Sequence, residues 1–135
     1  MAGKSGISRI TAFDVSDYDI KYAGEIKNFR FKTYISKEES THLGRGTQIA
    51  LAACRLALKD SGILASNVPN LNMAISLGTT MGEAQVIEQI VKHSIKKTGM
   101  EVKERRALAY PANSIPLNVG RILKIRNKNL IFANA

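Results

Sequence analysis

Tryptophan is absent from the chain, cysteine occurs once, proline three times, and aromatic residues make up only 6% of the sequence. The single cysteine, Cys54, excludes an internal disulfide, and we therefore expect a reducing, cytoplasmic location. No apolar run approaches the roughly 20 residues that a membrane-spanning helix needs. Residues 1–10 also lack the apolar segment of a secretory signal, so the sequence predicts a cytoplasmic protein without membrane association.

Acidic residues are scarce as well, with 11 aspartates and glutamates against 20 lysines and arginines, for a net charge of +9. Such a balance suits nucleic acid, acidic surfaces or acidic protein partners. The basic side chains crowd two segments: Lys92, Lys96, Lys97, Lys103, Arg105 and Arg106, then Arg121, Lys124, Arg126 and Lys128. Aromatic residues concentrate at or before Tyr34, away from both segments, which argues against nucleic acid because no stacking platform adjoins the charge.

Hydrophobic periodicity predicts alternating helices and strands from residue 38 to residue 135, after an irregular surface segment over residues 1–37. Short strands are expected at residues 6–10 and 22–26. Ser36 and Glu39 form a capping box for a helical region over residues 36–61, which Gly44 and Gly46 divide into a lead-in and a main helix. The main helix is predicted to direct its apolar side chains toward a core: Ile49, Ala52, Ala53, Leu56 and Leu58.

A second half of the pattern runs strand, turn, helix, helix, strand. Residues 70–77 alternate as a strand, residues 78–82 form a glycine-bounded turn, and residues 83–97 form an amphipathic helix with a Glu88–Lys92 pair. A turn of this kind is either a tight connection or an anion site at a helix N-terminus. A further helix near Ser114, with Gly120 interrupting it, should bury Ile115, Leu117, Val119, Ile122 and Leu123. A last buried strand follows at residues 129–134.

Candidate catalytic and metal-binding side chains are few. Cys54 lies among apolar neighbours of a predicted helix, where a free cysteine usually packs as a small hydrophobe. Neither His42 nor His93 has a second histidine, cysteine or carboxylate at metal-ligand spacing. The sequence therefore predicts no metal, no cofactor and no catalytic residue.

Several stretches resemble one enzyme family. The C-terminal PANSIPLNVGRILKIRNKNLIFANA, the helix GTQIALAACRLALKDSGI, and the shorter GKSGI, AGEI and YISKE resemble β-ketoacyl synthases of the thiolase superfamily. The resemblance implies a partial thiolase-like layered α/β fold, forming a single partial N-terminal domain over residues 1–135. It would lack the family's first strand and everything from the nucleophile onward, since Ala135 matches the residue before the nucleophilic cysteine.

The resemblance also implies functional roles. The family condenses an acyl thioester with a malonyl thioester in fatty-acid or polyketide synthesis, using a cysteine thiolate and two histidines beyond it. In this sequence the matching acyl-pocket residues are Met81, Tyr110, Pro111 and Ile115. The strand that pairs across the family's dimer axis matches Asn129, Ile131 and Ala133. Neither His42 nor His93 inherits a catalytic role, and the 135 residues alone are expected to be inactive.

The implied partners are acyl carrier protein, which carries the acyl and malonyl thioesters, and a second subunit in a homodimer or heterodimer. Of the positions that match the family's carrier-binding residues, only Lys37 is firmly basic. Two alternatives stay open. One is a non-catalytic scaffold subunit that resembles a chain-length factor. The other is a basic module that binds nucleic acid or an acidic surface.

Overall fold

The computed structural model describes residues 3–40, 43–96, 114–125 and 129–132. The chain divides into two compact units, residues 1–30 and residues 31–135. The predicted residues Tyr110, Pro111 and Ala133 lie outside the described residues, as does His42. Among the helices that the structure describes, none combines the length and the apolar character needed to cross a membrane.

The first unit is built on a β-hairpin. Strand β1 (Ile7–Arg9) pairs antiparallel with β2 (Tyr22–Gly24), which confirms both short strands predicted in this segment. Beyond the hairpin, the Glu25 carboxylate accepts hydrogen bonds from the backbone N–H groups of Thr11 and Ala12, at 3.0–3.1 Å, and from the Thr11 hydroxyl at 2.9 Å. This carboxylate fixes the chain as it leaves β1.

The second unit begins with a short helix, α1 (Lys37–Ser40), whose N-terminus carries the predicted capping box. The Ser36 backbone N–H donates to Glu39 Oε2 at 3.0 Å, and the Glu39 backbone N–H donates to Ser36 Oγ at 3.2 Å. The Arg55 guanidinium donates to both oxygens of the same Glu39 carboxylate, at 2.7 and 3.0 Å. Hydrogen bonding to Arg55 holds the pKa of Glu39 below its ordinary value, so this ion pair ties α1 to the next helix.

The main helix, α2 (Arg45–Asp60), packs against α4 (Ser114–Leu123) to form the core. The buried stripe of α2 consists of Thr47, Leu51, Ala52 and Leu58, and Leu51 and Leu58 pack in one cluster with Val119 and Leu123 of α4. The division of the helical region at Gly44 is confirmed, but three predicted core residues are wrong. Ala53 of α2 is exposed, and Leu56 of α2 and Leu117 of α4 are about half exposed, because each lies off the buried stripe of its helix.

The sequence suggested that Gly120 interrupts α4, and this prediction is wrong. It is buried inside a continuous helix between Val119 and Leu123.

A parallel pair of strands completes the second unit. Strand β3 (Ile75–Gly78) runs beside β4 (Asn129–Phe132), with Ile75 opposite Asn129 and Gly78 opposite Phe132. The predicted strand at residues 70–77 starts too early, since β3 begins at Ile75. Asn70 ends a turn of 3₁₀ helix around Pro69, and the Met73 backbone N–H then donates to the Leu71 carbonyl oxygen at 2.9 Å, which is a local turn rather than strand pairing. The amphipathic helix α3 (Ala84–Lys96) follows β3 and contains the predicted Glu88–Lys92 ion pair.

We predict that Glu25 makes the hairpin unit sensitive to acid. Its hydrogen bonds to the Thr11 and Ala12 backbone lower the pKa of Glu25 from an ordinary 4.5 to about 2. A lowered pKa stabilises the folded form at pH values above 4.5, and this contribution is lost as the pH falls from 4.5 through 2. Carboxyl-carbon NMR should give a Glu25 midpoint near 2, and Glu25→Gln should abolish the accompanying shift of the Thr11 amide. A Glu25 midpoint near 4.5 in the wild type would contradict the hydrogen bonding of the Glu25 carboxylate to Thr11 and Ala12.

Candidate functional site

The predicted pocket residues that the structure describes lie around the N-terminus of α2. Met81 is 72% exposed in the turn between β3 and α3, whereas Ile115 is 3% exposed at the start of α4. Ile115 lies next to Gly46, and Met81 lines a cavity together with the same glycine. The structure thus brings these two predicted residues to the same helix end. Asn129 and Ile131 lie on β4, at the far end of the chain.

The turn that carries Met81 is held by local hydrogen bonding and by one glycine. The Gly82 backbone N–H donates to Thr79 Oγ1 at 2.9 Å, and Gly82 has a φ of +54°, a conformation that side chains with a Cβ rarely adopt. The carbonyl oxygen of Glu83 then accepts the backbone N–H of Val86 at 2.9 Å, which starts α3. Met81 is therefore an exposed apolar side chain on a fixed turn.

Glu83 is the most constrained polar residue of this region. Its side chain is buried, and its carboxylate reaches the N-terminus of α2, where Oε2 accepts the Gly46 backbone N–H at 3.0 Å. Oε1 accepts both the backbone N–H and the hydroxyl of Thr47, each at 2.6 Å. The first backbone N–H groups of a helix have no partner within the helix, and an anion there also interacts favourably with the helix dipole. Glu83 therefore caps α2 from a distant part of the chain.

Two glycines make room for this carboxylate. Gly44 stands at the N-cap position of α2 and offers no side-chain cap. A Cβ atom on Gly44 would lie 2.3 Å from Glu83 Oε2, which is far inside van der Waals contact. A Cβ on Gly46 would lie 3.2 Å from both Glu83 Oε2 and Ile115 Cδ1. The glycines let the carboxylate of Glu83 replace the missing cap.

A cavity of about 300 Å³ adjoins the clamp between Glu83 and α2. Met81 and Ile49 supply apolar surface, and Arg45 and Gln85 supply polar groups. Its volume is at the lower end of the range typical of small-molecule sites. Ile115 does not line it and instead packs behind Gly46.

Sequence reasoning named Met81 and Ile115 but missed Glu83. A glutamate directly before an amphipathic helix is usually part of that helix's own first turn. Its partners, Gly46 and Thr47, are 37 and 36 residues away, so no local pattern reveals them. The one available signal was the pair Gly44 and Gly46 at the start of α2, where a serine, threonine or aspartate cap is commoner.

Cys54 does not have the surroundings of a reactive thiol. Cys54 lies half-buried on α2, and burial raises the pKa of its thiol, which is opposite to what a thiolate nucleophile requires. A cavity of about 370 Å³ lies beside it, with a mostly apolar lining that includes Met73 and Ile75. Among the residues described, no group of three or more histidine, cysteine or acidic side chains could hold a metal ion.

We predict that Glu83→Gln lowers the free energy of unfolding by about 2–3 kcal/mol, because an amide N–H₂ would face backbone N–H donors in a buried place. Urea denaturation measures the change. Glu88→Gln is the matched control, since it removes an exposed ion pair that contributes at most about 0.5 kcal/mol.

A double-mutant cycle tests whether Gly44 and Glu83 are energetically coupled, as direct contact between them requires. Gly44→Ala should destabilise the wild type because its Cβ displaces the Glu83 carboxylate. The same change should cost much less in a Glu83→Ala background, where there is nothing to displace. Additive effects would mean that Gly44 and Glu83 do not act on each other.

Comparison with known proteins places the chain in a family. Residues 1–130 match the family model described as the β-ketoacyl synthase N-terminal domain. The chain is 27% identical to 3-oxoacyl-[acyl-carrier-protein] synthase 2 of Vibrio cholerae over all 135 of its residues, which is 33% of that protein. It is 31% identical over 97 residues to the protein of the same name from Staphylococcus aureus (strain N315), covering 72% of this chain and 23% of that one. The chain thus spans about a third or less of the length of these curated relatives.

A solved structure gives the same result. The structure named "The ishigamide ketosynthase/chain length factor" superposes with a TM-score of 0.70 and 25% identity, over 98% of this chain and 33% of the other. The fold is therefore a partial thiolase-like α/β fold, as expected from the sequence. The chain belongs to the β-ketoacyl synthase family, and most of it corresponds to that family's N-terminal domain.

Proposed function

We propose that this chain contributes acyl-pocket and dimer surface to a β-ketoacyl synthase that condenses an acyl thioester with a malonyl thioester. Family membership supports a role in fatty-acid or polyketide condensation. The observation that carries the finer proposal is Met81, an apolar side chain left exposed on a turn that Gly82 and the Glu83 clamp hold in place. An unbranched thioether on a fixed backbone can change rotamer to follow acyl chains of different length.

The nucleophile is proposed to come from outside these 135 residues. Cys54 is the only cysteine in the sequence, and burial raises the pKa of its thiol. Thiolate attack on an acyl thioester requires a lowered pKa or an adjacent base. The chain's own residues would therefore shape and exclude water from the acyl site rather than form or break bonds.

Two partners fit the proposal. A second subunit would pair along β4 through Asn129 and Ile131, because a strand edge offers unpaired backbone groups to another strand. Ala133, the third residue expected at this edge, lies outside the described residues. Sedimentation that stays strictly monomeric at high concentration would count against this dimer.

The second proposed partner is acyl carrier protein, which is part of the name of the curated relatives. The net charge of +9 would attract an acidic carrier protein, most strongly at low salt. If titration with acyl carrier protein at low salt shifts no signal of the chain, the proposed carrier binding is rejected.

The other candidate is a non-catalytic partner subunit. It is favoured by one observation: the similar solved structure combines a ketosynthase with a chain length factor. Such a subunit would use the same Met81 surface without supplying a nucleophile.

We predict that an acyl thioester with a ten-carbon chain perturbs Met81 selectively. The methionine methyl groups are separate ¹³C NMR probes, and Met73 lines the other cavity, near Cys54. Decanoyl-N-acetylcysteamine should shift the Met81 methyl signal, assigned with Met81→Leu, and leave the Met73 signal in place. Acetyl-N-acetylcysteamine, which has almost no chain to bury, should shift neither.

The same sample tests the expected lack of chemistry. After malonyl-N-acetylcysteamine is added, mass spectrometry should detect no ketoacyl product from the purified chain. Product formation would refute the proposal that the nucleophile lies elsewhere. A Met73 shift without a Met81 shift would refute the acyl-pocket assignment.

A further inference from the structure

A separate cavity lies away from the proposed acyl site, where α2 and α4 end. Its volume is about 730 Å³, inside the range of small-molecule sites, which are mostly apolar with a few polar groups. Apolar side chains from both helix ends and the loop after α2 line it, among them Leu58, Ile63, Leu64 and Ile122. Leu64 is 66% exposed, which is unusual for a leucine in a concave surface.

The charge that lines this cavity is entirely positive. Arg55, Lys59 and Lys124 line it, and the described lining contains no aspartate or glutamate. Arg55 is occupied by its two bonds to Glu39. Lys59 and Lys124 are both exposed, and neither forms an ion pair with any residue that the structure describes. Within the described part of the chain, the ammonium groups of Lys59 and Lys124 therefore lie beside an apolar surface without an anionic partner.

Lysines near helix C-termini often serve to offset the helix dipole. Here backbone N–H groups already bond at least two of the terminal carbonyls of each helix. In α2, the Leu58 and Lys59 carbonyls accept the N–H groups of Ile63 and Gly62, at 3.1 and 3.2 Å. In α4, the Gly120 and Arg121 carbonyls accept the N–H groups of Ile125 and Lys124, at 2.8 and 3.3 Å. Both helices end in the same Schellman motif without help from a lysine side chain.

The two motifs differ at their left-handed position. In α2 this position is Gly62, with a φ of +72°, as is usual. In α4 it is Lys124, with a φ of +58°, a conformation that is unfavourable for a residue with a Cβ. Strained backbone conformations of this kind cluster at ligand-binding and other functional positions. Lys124 lines the cavity, so the strained residue lies at this surface.

We propose that the cavity between the C-terminal ends of α2 and α4 binds an amphiphilic carboxylate, an unbranched apolar chain that ends in a carboxylate group. The apolar chain would lie on Leu58, Ile63, Leu64 and Ile122, and the carboxylate would pair with Lys59 and Lys124. Charge complementarity selects the anion, and the apolar lining selects the chain.

Calorimetric titration of the full 135-residue chain tests the proposal with sodium dodecanoate, sodium octanoate and dodecan-1-ol, each kept below micelle formation. Dodecanoate should bind, each methylene removed should weaken binding by up to about fourfold, and the neutral alcohol should bind more weakly. Equal affinity for the alcohol, or no dependence on chain length, would overturn the proposal. Binding of an acidic amphipathic peptide in the absence of any dodecanoate binding would overturn it as well.

Lys124→Gly separates ligand binding from stability. Glycine relieves the left-handed strain, so the unfolding midpoint should rise by about 3–6 °C, while dodecanoate affinity should fall about fivefold. Lys124→Arg should retain the affinity. Asn28→Gly is the matched control, because Asn28 is the other non-glycine residue described with positive φ, at +56°, and it lies in the first unit. Unchanged affinity in Lys124→Gly would contradict the assignment of Lys124.

Discussion

The contact between the Glu83 carboxylate and the N-terminus of α2 is the constraint on which the second unit depends. One residue serves two helices, since its carbonyl oxygen starts α3 and its carboxylate caps α2. The contact joins chain segments 36 and 37 residues apart and needs glycine at position 44. Because the turn that presents Met81 ends at Glu83, the same contact also fixes the position of the proposed pocket residue.

The described residues provide binding surfaces rather than a reactive nucleophile. The chain belongs to a family of condensing enzymes, yet its only cysteine is a half-buried helical residue whose thiol pKa is raised by burial. What the described residues provide is surface: an exposed methionine above a cavity, a strand in parallel pairing, and a basic cavity at the opposite helix ends. These surfaces give the chain its proposed roles in acyl binding and assembly.

Local patterns were predictable from the sequence, and distant contacts were not. The Ser36–Glu39 capping box, the Glu88–Lys92 pair, the hairpin strands and the α2 region depend on residues close in the chain, and the structure confirms them. The predicted strand at residues 70–77 began five residues too early, because an alternating pattern does not report the local turns that the backbone forms from Val68 to Met73.

The candidate site was predictable only in part, through the family resemblance. Met81 and Ile115 both lie near Gly46 at the N-terminus of α2, but Glu83 was not predicted because its partners are distant in the chain. The left-handed conformation of Lys124 was not predicted either, because a positive φ is a property of the backbone that no side-chain pattern reports.

Amide hydrogen exchange at Gly46 and Thr47 tests the central claim most directly. Both N–H groups lie in the first turn of α2, where a helix offers no partner of its own, and the structure gives each the Glu83 carboxylate as acceptor. The account predicts that these two amides exchange as slowly as that of Leu51 in the interior of the same helix. Rapid exchange at Gly46 and Thr47, with Leu51 still protected, would show that the carboxylate does not cap α2 in solution.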